Sequence, residues 1–246
     1  MTARRWHGSV WFGERAFAYL GAIDATDLHA HHAVQVAITV AEPIELRDDA
    51  DAAGTGDAFV IPADAHHAIG RASARALLVF VDPEDEVGAA LASRVRGAGI
   101  AAWQDAGAAF AALPRSLALR DLVARVLETA GAVARELHPA IREALRQLPE
   151  LVGDESAVRV AALAKRVALS ESRFMHLFRE QVGIPLRPYM RWLRLRRAAS
   201  LVRAGATLTE AAHAAAFADS AHLSSTFHRT FGLSPSDVMR NVEWIE

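Results

Sequence analysis

Up to residue 81 the apolar positions fall in short runs, at 33–40, 44–46, 58–61 and 76–81, separated by polar turn-forming stretches. They are rich in Val, Ile and Phe, which predicts a small antiparallel β domain. The stretch 47–57 is acidic and carries Gly54 and Gly56, so it is expected to be a loop joining strands. After Asp82-Pro83 the period changes: Ala, Leu and Arg recur at helical spacing, and helices are predicted over about 84–96, 105–112 and 116–131. In the last of these Leu117, Leu119, Leu122, Val123, Val126, Leu127 and Ala130 form an apolar stripe, suited to a core, an interdomain seam or a homodimer interface. A further helix opens at His138-Pro139 and runs towards Leu148.

Two helix-turn-helix patterns follow. In the first, Val160, Leu163, Ala164 and Val167 give the inner face of a helix over 158–167, Ala168-Leu169-Ser170 the turn, and Ser170 the N-cap of a second helix over 171–181. Phe174, Leu177 and Phe178 face inward at i, i+3, i+4, leaving Ser172, Arg173, Met175, His176 and Arg179 outward. The pattern recurs about fifty residues later. Thr207 and Glu210 form a capping box at the head of a helix over 207–217, Ala218-Asp219-Ser220 turns, and a helix over 220–230 has Leu223, Phe227 and Phe231 on its inner face. Phe178, Gly183 and Pro185 repeat as Phe227, Gly232 and Pro235. Between the copies, a continuous helix over 186–204 spans roughly 30 Å, near the ~34 Å between successive major-groove faces of B-DNA.

Charge sharpens the reading. The net −2 conceals −6 over residues 1–137 and +4 over 138–246, and between Arg159 and Arg203 ten Arg and Lys165 face only Glu171 and Glu180. Such a stripe suits double-stranded DNA, with Arg194 and Arg196 expected on phosphates. No apolar run of membrane-spanning length and no signal segment is read, which predicts a cytoplasmic protein without membrane partners. The absence of Cys excludes disulfides and thiolate metal sites.

The stretch Phe217-Ala218-Asp219-Ser220-Ala221-His222-Leu223-Ser224-Ser225-Thr226-Phe227, then Phe231-Gly232-Leu233-Ser234-Pro235, resembles the signature of AraC/XylS-type transcription regulators, as does Trp192-Leu193-Arg194-Leu195-Arg196-Arg197-Ala198. The resemblance covers about 138–240. It implies seven helices, two helix-turn-helix units, RNA polymerase as a partner, and base-reading positions at Ser172, Met175 and His176 and at Ser220, Ala221, His222 and Ser225. Ala216 stands where the family commonly has Gly, and Ser225 where it often has Arg. The loss of that Arg leads us to expect the first unit to dominate specificity.

Six of the eleven His lie within the first 67 residues. On a strand His29, His31 and Gln35 would share a face, with His32 opposite. Together with His67 after Gly56 and Pro62, they resemble the two cupin motifs, with Gln35 at the usual Glu position, Asp64 replacing Gly and Arg71 replacing Asn. Three imidazoles and an amide suit Zn, Ni, Fe or Mn, or a metal-free polar pocket for an organic effector. His32 and His66 are expected to be surface or loop residues. The resulting expectation is an α+β chain: a cupin-like small antiparallel β-barrel sensor over 1–83, a helical connector with possible dimer helices over 84–137, and an AraC-type DNA-binding domain over 138–246. Its function would be transcription regulation controlled by a small-molecule or metal effector. The alternative is a metal-dependent cupin enzyme, an isomerase or dioxygenase.

Overall fold

The computed structural model describes residues 6–153, 159–239 and 241–245. The first five residues, read above for a leader, and Val158, the expected first residue of a helix, lie outside them. The chain divides into two compact units, residues 1–135 with 227–246, and residues 136–226.

The first unit is built on two sheets. Strands β1 (His7–Phe12), β2 (Ala16–Ile23), β3 (Val34–Thr39), β6 (Ala58–Ile61), β8 (Ser73–Val81) and β9 (Val242–Ile245) form one, in the order β6-β3-β8-β2-β1-β9. Strands β4 (Ile44–Asp48), β5 (Ala53–Gly56) and β7 (His67–Ile69) form the other, in the order β5-β4-β7. The sheets are open, so the expected closed barrel is corrected to a sheet-rich domain. Pairing is antiparallel except where β9 lies parallel to β1, with Val10 opposite Trp244. Strand β5 falls inside the stretch expected to be a loop. Its sequence Ala-Gly-Thr-Gly has little strand propensity, and pairing with β4 makes it a strand.

Period-two alternation separates the faces of the larger sheet. Val34, Val36 and Ile38 of β3, with Leu77, Val79 and Val81 of β8, join a buried cluster with Leu119, Leu122, Val123, Val126 and Ala130. These last belong to helix α3 (Leu119–Ala130), which Gly131 ends at φ +73. Full burial of each Val, Leu or Ile side chain in the cluster contributes about 1.5–3 kcal/mol. The stripe foreseen as a possible dimer interface is therefore core. Gln35, which Phe80 opposes, lies on the other face of the sheet.

Helix α1 (Glu86–Arg94) falls within its expected span, capped by Asp85. The helix expected over 105–112 is displaced: α2 runs Gly99–Gly107 and continues as a 3-10 turn over Ala108–Phe110. Packing sets this register, since Ile100, Trp103, Ala106 and Gly107 are the buried positions. Gly107 lies so close to the strand backbone that a Cβ would stand 2.4 Å from the Ala58 carbonyl oxygen.

Seven helices run through 139–239 among the described residues: α4 (Pro139–Gln147), α5 (Val160–Arg166), α6 (Glu171–Val182), α7 (Leu186–Arg203), α8 (Leu208–Ala214), α9 (Ser220–Phe231) and α10 (Pro235–Met239). No helix among the described residues is long and apolar enough to cross a membrane.

Candidate functional site

The two helix-turn-helix copies close with the same backbone. After α5, the amide of Ala168 donates to the Lys165 carbonyl and that of Leu169 to the Ala164 carbonyl. After α8, Ala216 donates to His213 and Phe217 to Ala212 in the same order. Both are Schellman turns, and both place an Ala in the left-handed region, Ala168 at φ +55 and Ala216 at φ +59. The Ala at 216, noted as a departure from Gly, thus occupies a position where Gly relieves strain, and the first copy has an Ala in the same conformation at 168.

Each turn launches a capped second helix. The Ser170 side chain accepts from the Arg173 amide, and Asp219 accepts from the His222 amide at 2.7 Å. The capping box at α8 is complete, with Glu210 N–H to Thr207 Oγ1 at 3.2 Å and Thr207 N–H to Glu210 Oε2 at 2.8 Å. On α6 Phe174, Leu177, Phe178 and Val182 are buried, whereas Ser172, Arg173, His176 and Arg179 are exposed. Met175 is half-buried. On α9 Ala221, His222 and Ser225 are exposed and Ser220 is half-buried. His222 is tied down locally, its ring edge-on to Phe217 at 5.3 Å.

Between the two second helices runs a groove that Arg159, Met175, Arg187, Arg191, Arg194 and His222 help to line. Arg194 is half-buried, and its Nε has no hydrogen-bond partner among the described residues. Arg196 is likewise half-buried. Arg197 is committed elsewhere, donating from Nε to the Ala214 carbonyl at the end of α8. Arg159, Arg187 and Arg191 belong to the basic stripe read from sequence, though not to the expected contact residues. Their convergence on one groove needs the helix packing.

A second cluster lies in the first unit. One ring nitrogen from each of His29, His31 and His67 lies within 4.8 Å of the others, and all three residues are buried, as is Gln35. The strand expected to align His29 and His31 does not form; His29 makes only an isolated bridge to His67, and regular pairing begins at Val34. Burial and then the neighbouring His31 hold His29 down to about 3, and burial with His29 and His31 holds His67 well below the usual imidazole range. Burial lowers His31 as well. All three imidazoles are therefore neutral at pH 7.

Neutrality fixes the tautomers. His29 Nδ1 lies 2.8 Å from the Asp27 carbonyl oxygen and His67 Nδ1 lies 2.9 Å from that of Ala65. A carbonyl can only accept, so both protons sit on Nδ1 and both Nε2 atoms present lone pairs. Gln35 Oε1 stands 2.9 Å from His31 Nε2 and 3.0 Å from His67 Nε2. With Oε1 turned inward, the His67 Nε2 lone pair and the amide oxygen face one another as two ligands of one cation would, and backbone-anchored Nδ1–H groups are the usual support of metal-ligating histidines. The donor set thus fits a divalent metal bound by three neutral nitrogens and one oxygen. The two ends of the Gln35 amide share one shape, however. Turned about, its NH2 would donate to both Nε2 atoms and complete a metal-free network.

His32 lies in the loop between β2 and β3, one of the two settings expected for it, but is buried rather than at the surface. Its ring nitrogens meet Asp64 at 2.8 Å and Glu84 at 2.7 Å. Burial opposes the charge, yet these two carboxylates outweigh it and push the imidazole up to about 9. His66 is exposed. The groups around the cluster include residues read above only as the inner face of a helix-turn-helix: the Phe231 ring lies 6.0 Å from His31 and 6.2 Å from Phe80. Its i, i+4 partner is Phe227, at 4.6 Å. Nothing local in the sequence distinguishes this packing from the expected one.

Residues 163–241 match the family model described as a helix-turn-helix domain. The chain is 28% identical over 131 residues to the arabinose operon regulatory protein of Escherichia coli, covering 52% of this chain and 45% of that protein. It is 36% identical over 78 residues to the HTH-type transcriptional activator RhaS of Shigella boydii, covering 31% of this chain and 28% of that protein. It therefore spans less than half the length of these curated relatives. Among solved structures, ToxT from Vibrio cholerae superposes with a TM-score of 0.52 at 12% identity, over 93% of this chain and 98% of that one. A ToxT structure with unsaturated fatty acid bound gives 0.53 at 11% identity, over 94% and 98%. At these identities the likeness shows a shared fold: a β-rich N-terminal part and a helical C-terminal part.

Proposed function

We propose that this chain is a sequence-specific DNA-binding transcription regulator of the AraC type, a reading supported by the helix-turn-helix family match over residues 163–241 and by the chain's similarity to the arabinose and RhaS regulators. It would act in the cytoplasm beside RNA polymerase. The observation that carries the reading is the repeated turn: two copies with the same pair of hydrogen bonds and the same left-handed Ala each present a capped helix with an exposed polar face. Ser172, Arg173, Met175, His176 and Arg179 serve the first unit, with His176 foremost because Met175 is partly withdrawn into the groove. Ser220, Ala221, His222 and Ser225 serve the second, where His222 is partly committed to Phe217. Arg194 and Arg196, with Arg159, Arg187 and Arg191, supply phosphate contacts.

Selection of binding duplexes from a random library with the purified chain, followed by footprinting, tests this. Two protected patches about one helical turn apart are expected; no enrichment over the starting library refutes it.

The finer reading concerns control. We assign effector sensing to the first unit, supported by the ligand seen in a ToxT structure of like fold, and the effector site to His29, His31, Gln35 and His67. Of the two networks the geometry allows, the metal-bound one also engages the inward His29 Nε2, so a divalent transition metal such as Zn, Ni, Fe or Mn is favoured. Gln35→Glu separates them. With metal, a carboxylate at the usual fourth position raises zinc affinity in calorimetry by roughly tenfold or more. Without metal, it removes two donors, and the variant is destabilised with no zinc uptake. The relatives are named as regulators, and no observation favours an isomerase or dioxygenase over this reading.

A further inference from the structure

The last turn of α9 rests on the histidine site, and we propose that it is the element through which this site acts on the second helix-turn-helix unit. The inference rests on the regulated DNA binding proposed above. Residues 227–246 group with the first unit, whereas α9 begins at Ser220.

Asp27 is the joint. Its amide donates to the Gly232 carbonyl at 3.0 Å, its own carbonyl receives His29 Nδ1 at 2.8 Å, and its carboxylate lies 3.3 Å from His228 Nε2. One residue thus connects the C-terminal end of α9 to the first histidine of the cluster. Phe231 makes a second contact, 6.0 Å from the His31 ring and edge-on to Phe17 at 6.3 Å and to Phe80 at 6.2 Å. The approach is close enough to require glycine. At Gly232, with φ +69, a Cβ would stand 2.4 Å from the Asp27 carbonyl oxygen and 2.6 Å from His29 Nδ1. Beyond it, β9 pairs with β1 and fixes the following chain to the same sheet.

The proposed reading positions of α9, Ser220, Ala221, His222 and Ser225, lie in its first half. A rigid twelve-residue helix is roughly 18 Å long, so a tilt of about 10° at its last turn moves its first by roughly 3 Å. That exceeds what a hydrogen bond to a base edge tolerates. Any change in the seat of His29 or His31 is therefore transmitted to base reading, with Phe231 and Gly232 as positioning residues.

A double-mutant cycle on the selected operator duplex tests this. Phe231→Ala and His31→Ala should each shift the operator Kd by about threefold or more in the same direction, with the double variant shifted no further than the larger single. Phe231→Leu should stay near wild type. A duplex carrying only the first unit's half-site should be bound equally by all. Multiplying effects, no shift, or equal loss on the first half-site would overturn the proposal. If Phe231→Ala is unfolded by circular dichroism, His228→Ala, which removes the exposed contact of α9 with Asp27, replaces it in the cycle. Zinc calorimetry on the wild type is a separate arm: no uptake removes the metal reading while the cycle still decides the coupling. If selection yields no operator, the proposed function falls and this coupling with it; an operator with an additive cycle overturns the coupling alone.

Discussion

The paired left-handed alanines give the most direct quantitative test of the helix-turn-helix geometry. An L-residue in this region costs about 1–2 kcal/mol through the clash of Cβ with the following carbonyl. Glycine removes that cost but loses about 0.4–1 kcal/mol through the greater freedom of the unfolded chain. Ala168→Gly, at φ +55, and Ala216→Gly, at φ +59, should therefore each stabilise by about 0.5–1 kcal/mol. In urea, with a slope of about 2 kcal/mol/M, that raises the midpoint by roughly 0.3–0.5 M, read by far-UV circular dichroism. Gly183 supplies the opposite sign. It closes α6 at φ +94 with nothing within 4 Å of a built Cβ, so Gly183→Ala adds strain without a clash and should lower the midpoint by a similar amount. Unchanged or lowered midpoints for both Ala→Gly variants would refute the assignment of these turns.

Three further outcomes are expected. Arg194→Ala should weaken binding to all duplexes alike and reduce the slope of log K against log salt by about 0.9, as for one lost phosphate contact; an unchanged slope excludes that role. His176→Ala, which removes an exposed side chain of α6, should relax preference at one or two base positions in repeated selection while leaving non-specific affinity within about twofold. His32→Ala strips Glu84, whose side chain is only 10% exposed, of its buried partner and should cost about 3 kcal/mol in urea unfolding, far more than removal of the exposed His66.

Much of the C-terminal half was legible because its signals are local. Caps at Ser170 and Thr207, the i, i+3, i+4 set Phe174, Leu177 and Phe178, and the charge of the stripe are all fixed within a few residues, and the helices stand close to their predicted spans. The N-terminal half depends on partners distant in sequence. Strand β5 exists through β4, α2 takes its register from the strand beneath Gly107, and His32 is buried through Asp64 and Glu84.

The histidine site shows the division most sharply. The residue types and the 29, 31, 35, 67 set could be read from the chain, because imidazole and amide donors are scarce and their spacing is distinctive. Their convergence on one centre, the Nδ1 anchoring that points lone pairs inward, and the seating of Phe231 and Gly232 against them were decided only by tertiary structure. The reason is physical: β pairing and ring packing join residues two hundred or more positions apart, and the energy that selects those contacts is absent from any window of sequence. The two helix-turn-helix units, by contrast, carry most of their specification within their own twenty residues.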